Sequence, residues 1–254
     1  MASRFPAHGG VIVTGAAQGI GRRLALMLAA EGVDVCIADW NEVGGRAVVA
    51  ENIEGGGRMI FVRTDVSDEA SCANAVAEAE AAFGGVFGVV NNASIFSTLQ
   101  MRPFWEIPTE EWDRVQNVNL KGVFNMSRVA LPPLRKSGAG SIVNIASSTL
   151  LFGRQNYAHY VSSKAGVMGL SRAMARELGG FNIRVNTLTP GPTFTEIERK
   201  TVTPEQREAM IRQQCLERAG APDDIAAPII FLLSSEARWI TGQLLNVDGG
   251  MVMH

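Results

Sequence analysis

Val11-Ile12-Val13-Thr14-Gly15-Ala16-Ala17-Gln18-Gly19-Ile20-Gly21 begins as a β-branched run, passes through a glycine-rich turn and enters an Ala/Leu-rich segment that reaches Glu31. The run reads as a short buried strand and the segment from Ile20 as a helix. Glycines at a strand-to-helix turn let backbone N–H groups approach a pyrophosphate, whose charge the helix N-terminus also favours. Gly15, Gln18, Gly19, Ile20 and Gly21 are therefore candidate dinucleotide contacts. Their spacing differs from the commoner G-x-G-x-x-G fingerprint, and a merely tight turn is the alternative reading.

The same alternation continues along the chain. A strand at Val33 to Ala38 precedes a helix at Glu42 to Asn52, and Met59 to Val62 precedes a helical pattern at Asp68 to Phe83. Val86 to Val90 is followed by a long helical stretch from Glu110 to Leu134, Ser141 to Ile145 by a helix at Tyr157 to Leu178, and Ile183 to Leu188 forms a further strand. Repeated βα units imply a parallel sheet with helices on both faces, and near-continuous apolar strands suit a sheet that has no solvent face. The expected fold is a single α/β domain over residues 1–254, a Rossmann-like doubly wound parallel sheet. Ligands bind such sheets at the carboxyl ends of the strands.

Composition narrows the function. With 254 residues, 46% hydrophobic and 19% charged, the chain can bury a core of enzyme size. A net charge of −2 supplies no basic stripe, and the aromatics are not interleaved with Lys or Arg, so nucleic acid is not the expected partner. Apolar runs such as Ala226 to Leu233, interrupted by Pro228, are too short to cross a bilayer. Cys36, Cys72 and Cys215 are odd in number and far apart, which favours a reducing, cytoplasmic setting. His8, His159 and His254 lack metal-ligand spacing, so no metal is expected.

Asp39 ends the second strand, roughly 20 residues past the turn, where a carboxylate accepts a ribose 2′-hydroxyl and repels a 2′-phosphate. Trp40 and Asn41 follow it, with no arginine to hold such a phosphate, so NAD is expected over NADP; Arg22 and Arg23 are the reservation. Asp65, followed by Val66, is placed to accept from an adenine amine, or belongs to a helix cap built on Ser67. Asn91-Asn92-Ala93-Ser94 closes the fourth strand, either against a cofactor or as an Asx turn.

Tyr160 and Lys164 lie one helical turn apart and so face the same way. A nearby positive charge favours the phenolate, which makes Tyr160 a candidate proton acceptor at neutral pH.

With Thr14 to Gly21, Asn91 to Ala93, Asn119, Ser147, Tyr160 and Lys164 in order, the chain resembles the short-chain dehydrogenase/reductase family in its single-domain form. Pro190-Gly191-Pro192-Thr193-Phe194-Thr195 and the run Thr241 to Gly250 resemble that family's later motifs. The resemblance implies that Tyr160 is the general acid/base and that Lys164 lowers its pKa while binding the nicotinamide ribose. It implies further that Ser147 holds the substrate oxygen, with Ser148 as the neighbouring alternative, and that Asn119 supports a proton-relaying water. It adds Asn92, Ala93, Pro190, Gly191, Thr193 and Thr195 to the cofactor contacts, and a homotetramer as the assembly. Two departures stand out: Ser94 where the family usually has glycine, and Leu150 where a glycine usually follows the serine.

The candidate substrate contacts are Ser94, Phe96, Leu150, Asn156, Tyr157 and Phe194, beside Ile95, Leu151, Phe152 and Pro192. This mostly apolar set suits a compact aromatic or alicyclic alcohol or ketone better than a sugar or a charged acid. Within the family the motifs are most similar to bacterial dehydrogenases of aromatic alcohols. Residues 193–215, with Pro204 and a polar helical pattern, are a candidate lid. A non-catalytic NAD sensor or a cofactor-independent, halohydrin-dehalogenase-like enzyme are the rival readings.

Overall fold

The β-branched runs become strands of one parallel sheet in the computed structural model, which describes residues 4–51, 53–197 and 202–253. The strands are β1 (Gly10–Thr14), β2 (Val35–Asp39), β3 (Met59–Arg63), β4 (Val86–Asn91), β5 (Ser141–Ile145), β6 (Arg184–Pro190) and β7 (Leu244–Val247). Their order is β3-β2-β1-β4-β5-β6-β7, and every neighbouring pair is parallel. The helices are α1 (Gly19–Ala30), α2 (Glu42–Ala50), α3 (Glu69–Phe83), α4 (Thr109–Gln116), α5 (Gly122–Val129), α6 (Leu131–Lys136), α7 (Thr149–Phe152), α8 (Ala158–Leu178), α9 (Pro204–Arg212) and α10 (Pro222–Leu233). The expected doubly wound α/β fold is what the chain adopts.

Alternate side chains of each strand feed two cores. Val11 and Val13 pack with Leu24 and Leu28 of α1 and with Ile225 and Ile229 of α10, while Ile12 packs with α3, α5, α6 and α8 on the other face. All five residues of β1, β2 and β5 are buried, which explains why these strands read as unbroken apolar runs. Each fully buried Leu or Ile contributes about 2 kcal/mol. The chain winds outward from β1 to β3 and then returns to β4, so the switch point lies between the carboxyl ends of β1 and β4.

Most element bounds fall within two residues of expectation. Val33, expected in β2, instead donates to the Leu28 carbonyl and closes the end of α1. The cap of α3 is Asp68, accepting from the Ala70 amide at 3.1 Å, and not Ser67. The larger correction concerns Glu110 to Leu134, expected as one helix. It is α4, a π turn at Asn117–Lys121, α5 and then α6, whose first turn holds Pro132 and Pro133. Proline has no N–H to donate and suits a first turn, so α6 starts there as a new helix, whereas α10 carries Pro228 in its interior. Among the described residues no helix is long and apolar enough to cross a membrane, and no cluster of three His, Cys, Asp or Glu is placed to hold a metal ion.

Candidate active site

The glycine turn after β1 is held in the form its residues allow. Gly19 has φ +59, and a Cβ on Gly21 would stand 2.3 Å from the Gly15 carbonyl oxygen, so both positions demand glycine. Asn92 braces the turn from β4, donating to the Thr14 and Gly15 carbonyls at 3.0 and 2.9 Å, and Ala93 donates to Thr14 Oγ1 at 3.0 Å. Gln18 occupies the N-cap of α1 without a side-chain cap bond, and Ile20 is half-buried behind it.

The Gly19 amide donates to Glu196 Oε1 at 2.8 Å. A carboxylate from a distant loop thus occupies the helix N-terminus, where a cofactor phosphate would sit, and the seat accepts an anion of this chain's own. Nothing in the sequence singled out Glu196. Thr195 and Ile197 border Gly19 on the same side, and the Thr195 hydroxyl accepts from the Ile197 amide at 3.2 Å.

Asp39 is buried at the end of β2. Its carboxylate accepts from the Ala17 amide and from the Asn41 amide, each at 2.9 Å, so it ties the glycine turn to the end of β2. Trp40 beside it is 77% exposed, a free aromatic surface. Arg22 is bound to Glu51 at 2.6 Å and Arg23 to Asp223 at 2.8 Å, so both cations are committed elsewhere. Asp65 Oδ1 accepts from the Ser67 amide and hydroxyl at 2.9 and 2.7 Å, and the buried Val66 accepts from Asn125 Nδ2 at 2.9 Å.

At the carboxyl end of β5, Lys164 is 2% exposed and donates from Nζ to the Ile145 carbonyl at 2.8 Å. Its Nζ lies 5.8 Å from the centre of the Tyr160 ring, so the two groups expected to cooperate do share one side of α8. Burial pushes the Lys164 ammonium down to about 7. Ser147, two residues beyond β5, accepts from Thr149 Oγ1 at 3.0 Å and from the Thr149 amide at 3.3 Å. With its acceptor side occupied, the Ser147 hydroxyl proton is left to donate outward. Ser148 is 2% exposed, and its amide donates to the Pro190 carbonyl at 3.0 Å.

Asn119 lies in the π turn and is fully buried. Its side chain accepts from the Ile95 amide at 2.7 Å and donates to the Ile95 carbonyl at 3.1 Å and to Ser163 Oγ at 3.3 Å. The amide is thus spent tying the β4–α4 loop to α8. Below it, Asn91 Nδ2 donates to Asn144 Oδ1 at 2.8 Å and to Ser127 Oγ at 3.0 Å, and Asn144 Nδ2 to Ser171 Oγ at 2.8 Å. This buried polar chain links β4, β5, α5 and α8.

On the substrate side, the Phe96 ring lies 4.5 Å from the Tyr160 ring and 5.8 Å from that of Tyr157. Tyr157 is 2% exposed, packed with Leu99, Val115 and Tyr160. Leu150 likewise turns partly toward Val123, Ala146 and Val167, while Ser94 and Asn156 are exposed. Phe194 is half-buried, its amide bonded to the Gly220 carbonyl at 2.9 Å. Gly191 donates to the Val247 carbonyl at 3.0 Å, and Thr193, buried, donates to the Gly191 carbonyl at 3.2 Å. Of the candidate lid, residues 198–201 lie outside the described residues.

A family model described as enoyl-(acyl carrier protein) reductase matches residues 15–252. An uncharacterized oxidoreductase of Mycobacterium tuberculosis is 44% identical over 243 residues, covering 95% of this chain and 96% of that protein. The 3-oxoacyl-(acyl-carrier-protein) reductase of Thermotoga maritima is 37% identical over 95% of this chain and 97% of its own. A crystal structure of the 3-oxoacyl-(acyl-carrier protein) reductase of Brucella melitensis superposes with a TM-score of 0.90 at 32% identity, covering 99% of this chain and 95% of that one. Fold and relatives together define a Rossmann-type oxidoreductase. More narrowly, the chain belongs to the short-chain dehydrogenase/reductase family, whose members bind a nicotinamide cofactor.

Proposed function

We infer that this oxidoreductase is an NAD-dependent dehydrogenase of small cyclic or aromatic alcohols, working reversibly between alcohol and carbonyl. The observation that carries this reading is the placement of Tyr160 against the buried Lys164, which is anchored to the Ile145 carbonyl two residues before Ser147. Ser147 donates to the substrate oxygen and Tyr160 Oη takes the hydroxyl proton as the carbon gives up its hydride; the reverse direction returns both. A positioned base contributes typically 10²–10⁴-fold. Nicotinamide, when bound, accepts or returns that hydride. The Asn119 side chain is engaged with Ile95 and Ser163, and the π turn it sits in is where a proton-relaying water would be held.

NAD is favoured over NADP by Asp39 at the adenosine end and by the engagement of Arg22 and Arg23 in other ion pairs. Gly15, Gly19 and Gly21 would hold the pyrophosphate, Lys164 the nicotinamide ribose, and the Pro190 to Thr195 loop the nicotinamide side. Residues 1–254 act as one unit, with 193–215 as its lid. Exposed Phe124 near Leu120 and Leu170 on one face, and Trp239, Leu245 and Met253 on another, support assembly as a homotetramer. The thiols of Cys36 and Cys72 are buried and raised to about 12, which suits a reducing cytoplasm without disulfides.

The deciding experiment mixes purified protein with NAD or NADP and a panel of benzylic and alicyclic alcohols and pyridoxal, following absorbance of the reduced cofactor. Because two relatives are named for 3-oxoacyl groups, an acetoacetyl thioester with reduced cofactor completes the panel. Turnover of ring alcohols with NAD is expected; turnover confined to the thioester, or to NADP, overturns the corresponding part of the reading.

A further inference from the structure

Two aromatic surfaces among the candidate substrate residues carry an arginine. Arg154, in the bend between α7 and α8, holds its guanidinium carbon 4.5 Å from the centre of the Tyr157 ring and 5.8 Å from that of Phe96. Phe96 in turn stacks on Tyr160, so this cation is one aromatic ring away from the reacting phenol. From the lid side, Arg207 of α9 lies 4.0 Å over the Phe194 ring.

Neither guanidinium makes an ion pair or a hydrogen bond with any described residue, and several acids of the surrounding elements are already engaged. Glu111 of α4 is taken by Arg102 at 3.8 Å and His159 at 3.2 Å. Glu196 is bonded to the Gly19 amide, and Glu208 to Arg212 at 3.3 Å. Stacking on a ring fixes the plane of a guanidinium and leaves its edge N–H groups pointing outward in a fork that matches a carboxylate or a phosphate. An arginine held in this way one ring from Tyr160, with its donors unspent, is arranged for an acceptor that arrives with the ligand.

We propose that the substrate carries an oxyanion, a carboxylate or phosphate, held by Arg154 across one ring from the carbinol that Tyr160 deprotonates. This rests on the assignment of Tyr160 as the proton-transfer group, and it replaces the neutral ligand expected from the apolar residues alone. Those residues then hold the ring of the substrate, and the arginine sets which end enters first.

The test compares kcat/KM with NAD for 4-(hydroxymethyl)benzoate, 4-(hydroxymethyl)phenyl phosphate and the neutral methyl ester of the benzoate. Wild-type enzyme is expected to prefer at least one anion over the ester by tenfold or more, the better of the two arms identifying the oxyanion. In Arg154→Met that preference falls at least tenfold through KM, and Arg154→Lys restores part of it. Equal use of all three probes by wild type, or an equal loss on all three in Arg154→Met, overturns the proposal while leaving the dehydrogenase reading intact. Should no alcohol be turned over, calorimetry with benzoate still decides. Binding that Arg154→Met abolishes supports the anion site, and binding that survives the substitution, or none to wild type, overturns it.

Discussion

Glu196 Oε1 and the Gly19 amide are 2.8 Å apart, joining two residues 177 positions distant in the chain across the seat a dinucleotide phosphate would use. Entry of the cofactor must therefore break this bond. An anion at a helix N-terminus is worth about 0.3–1 kcal/mol and up to about 2 when partly buried. Glu196→Gln is expected to bind NAD and ADP-ribose roughly 2- to 10-fold more tightly by calorimetry. An unchanged or weaker affinity would mean that the carboxylate does not compete for the seat.

Tyr160→Phe should retain the NAD affinity of the parent, since the phenyl ring keeps its stack on Phe96. Turnover on the best alcohol should drop by about 10²–10⁴-fold, the contribution of a positioned acid/base. Phe-variant activity near that of the parent would refute the role of the hydroxyl.

Lys164 links chemistry to stability. Its ammonium is raised in energy by burial, to a pKa of about 7 from 10.5, so the unfolded chain binds a proton more tightly than the folded one. The cost to the fold is complete below pH 7, at most about 5 kcal/mol, and disappears as pH rises toward 10.5. Lys164→Met, assayed without cofactor, should be inactive yet melt higher than the parent at pH 6, with the gap shrinking or reversing by pH 10. A gap independent of pH would contradict burial as its origin.

Asp39→Ala should lower kcat/KM with NAD and shift the NAD-to-NADP ratio toward NADP by tenfold or more. The same change releases the Ala17 and Asn41 amides, so it should also reduce Tm. Kinetics with both nucleotides and a melt distinguish the two effects, and an unaltered ratio would remove Asp39 from cofactor choice.

Asn144→Ala removes the acceptor for Asn91 and the donor to Ser171 inside the core. Stranding buried polar groups costs about 1–3 kcal/mol each. Denaturant unfolding should show a loss of roughly 2–4 kcal/mol, and a loss below 0.5 kcal/mol would show that the network is dispensable.

Periodicity read locally was enough for the strands, because a doubly covered parallel strand needs apolar residues on both faces and these are visible in runs such as Val11 to Val13. It was not enough for α4 to α6, where the apolar spacing continues across a π turn and a Pro-Pro start. At the site, Tyr160 and Lys164 were legible because one turn of helix fixes their relation. The Asn119 contacts to Ile95 and Ser163 were not, since they join separate elements.

The chain's own order of residues determined the strand-turn-helix units, the positions where only glycine fits and the family set around Tyr160, all of which depend on neighbours within a few residues or on motif spacing. Tertiary structure alone decided that Glu196 reaches Gly19, that Tyr157 is buried against Phe96 and Tyr160, and that Arg154 and Arg207 rest on aromatic rings without an acid. Contacts of that kind are made between side chains brought together by the winding of the sheet, and no local propensity encodes which residues will meet.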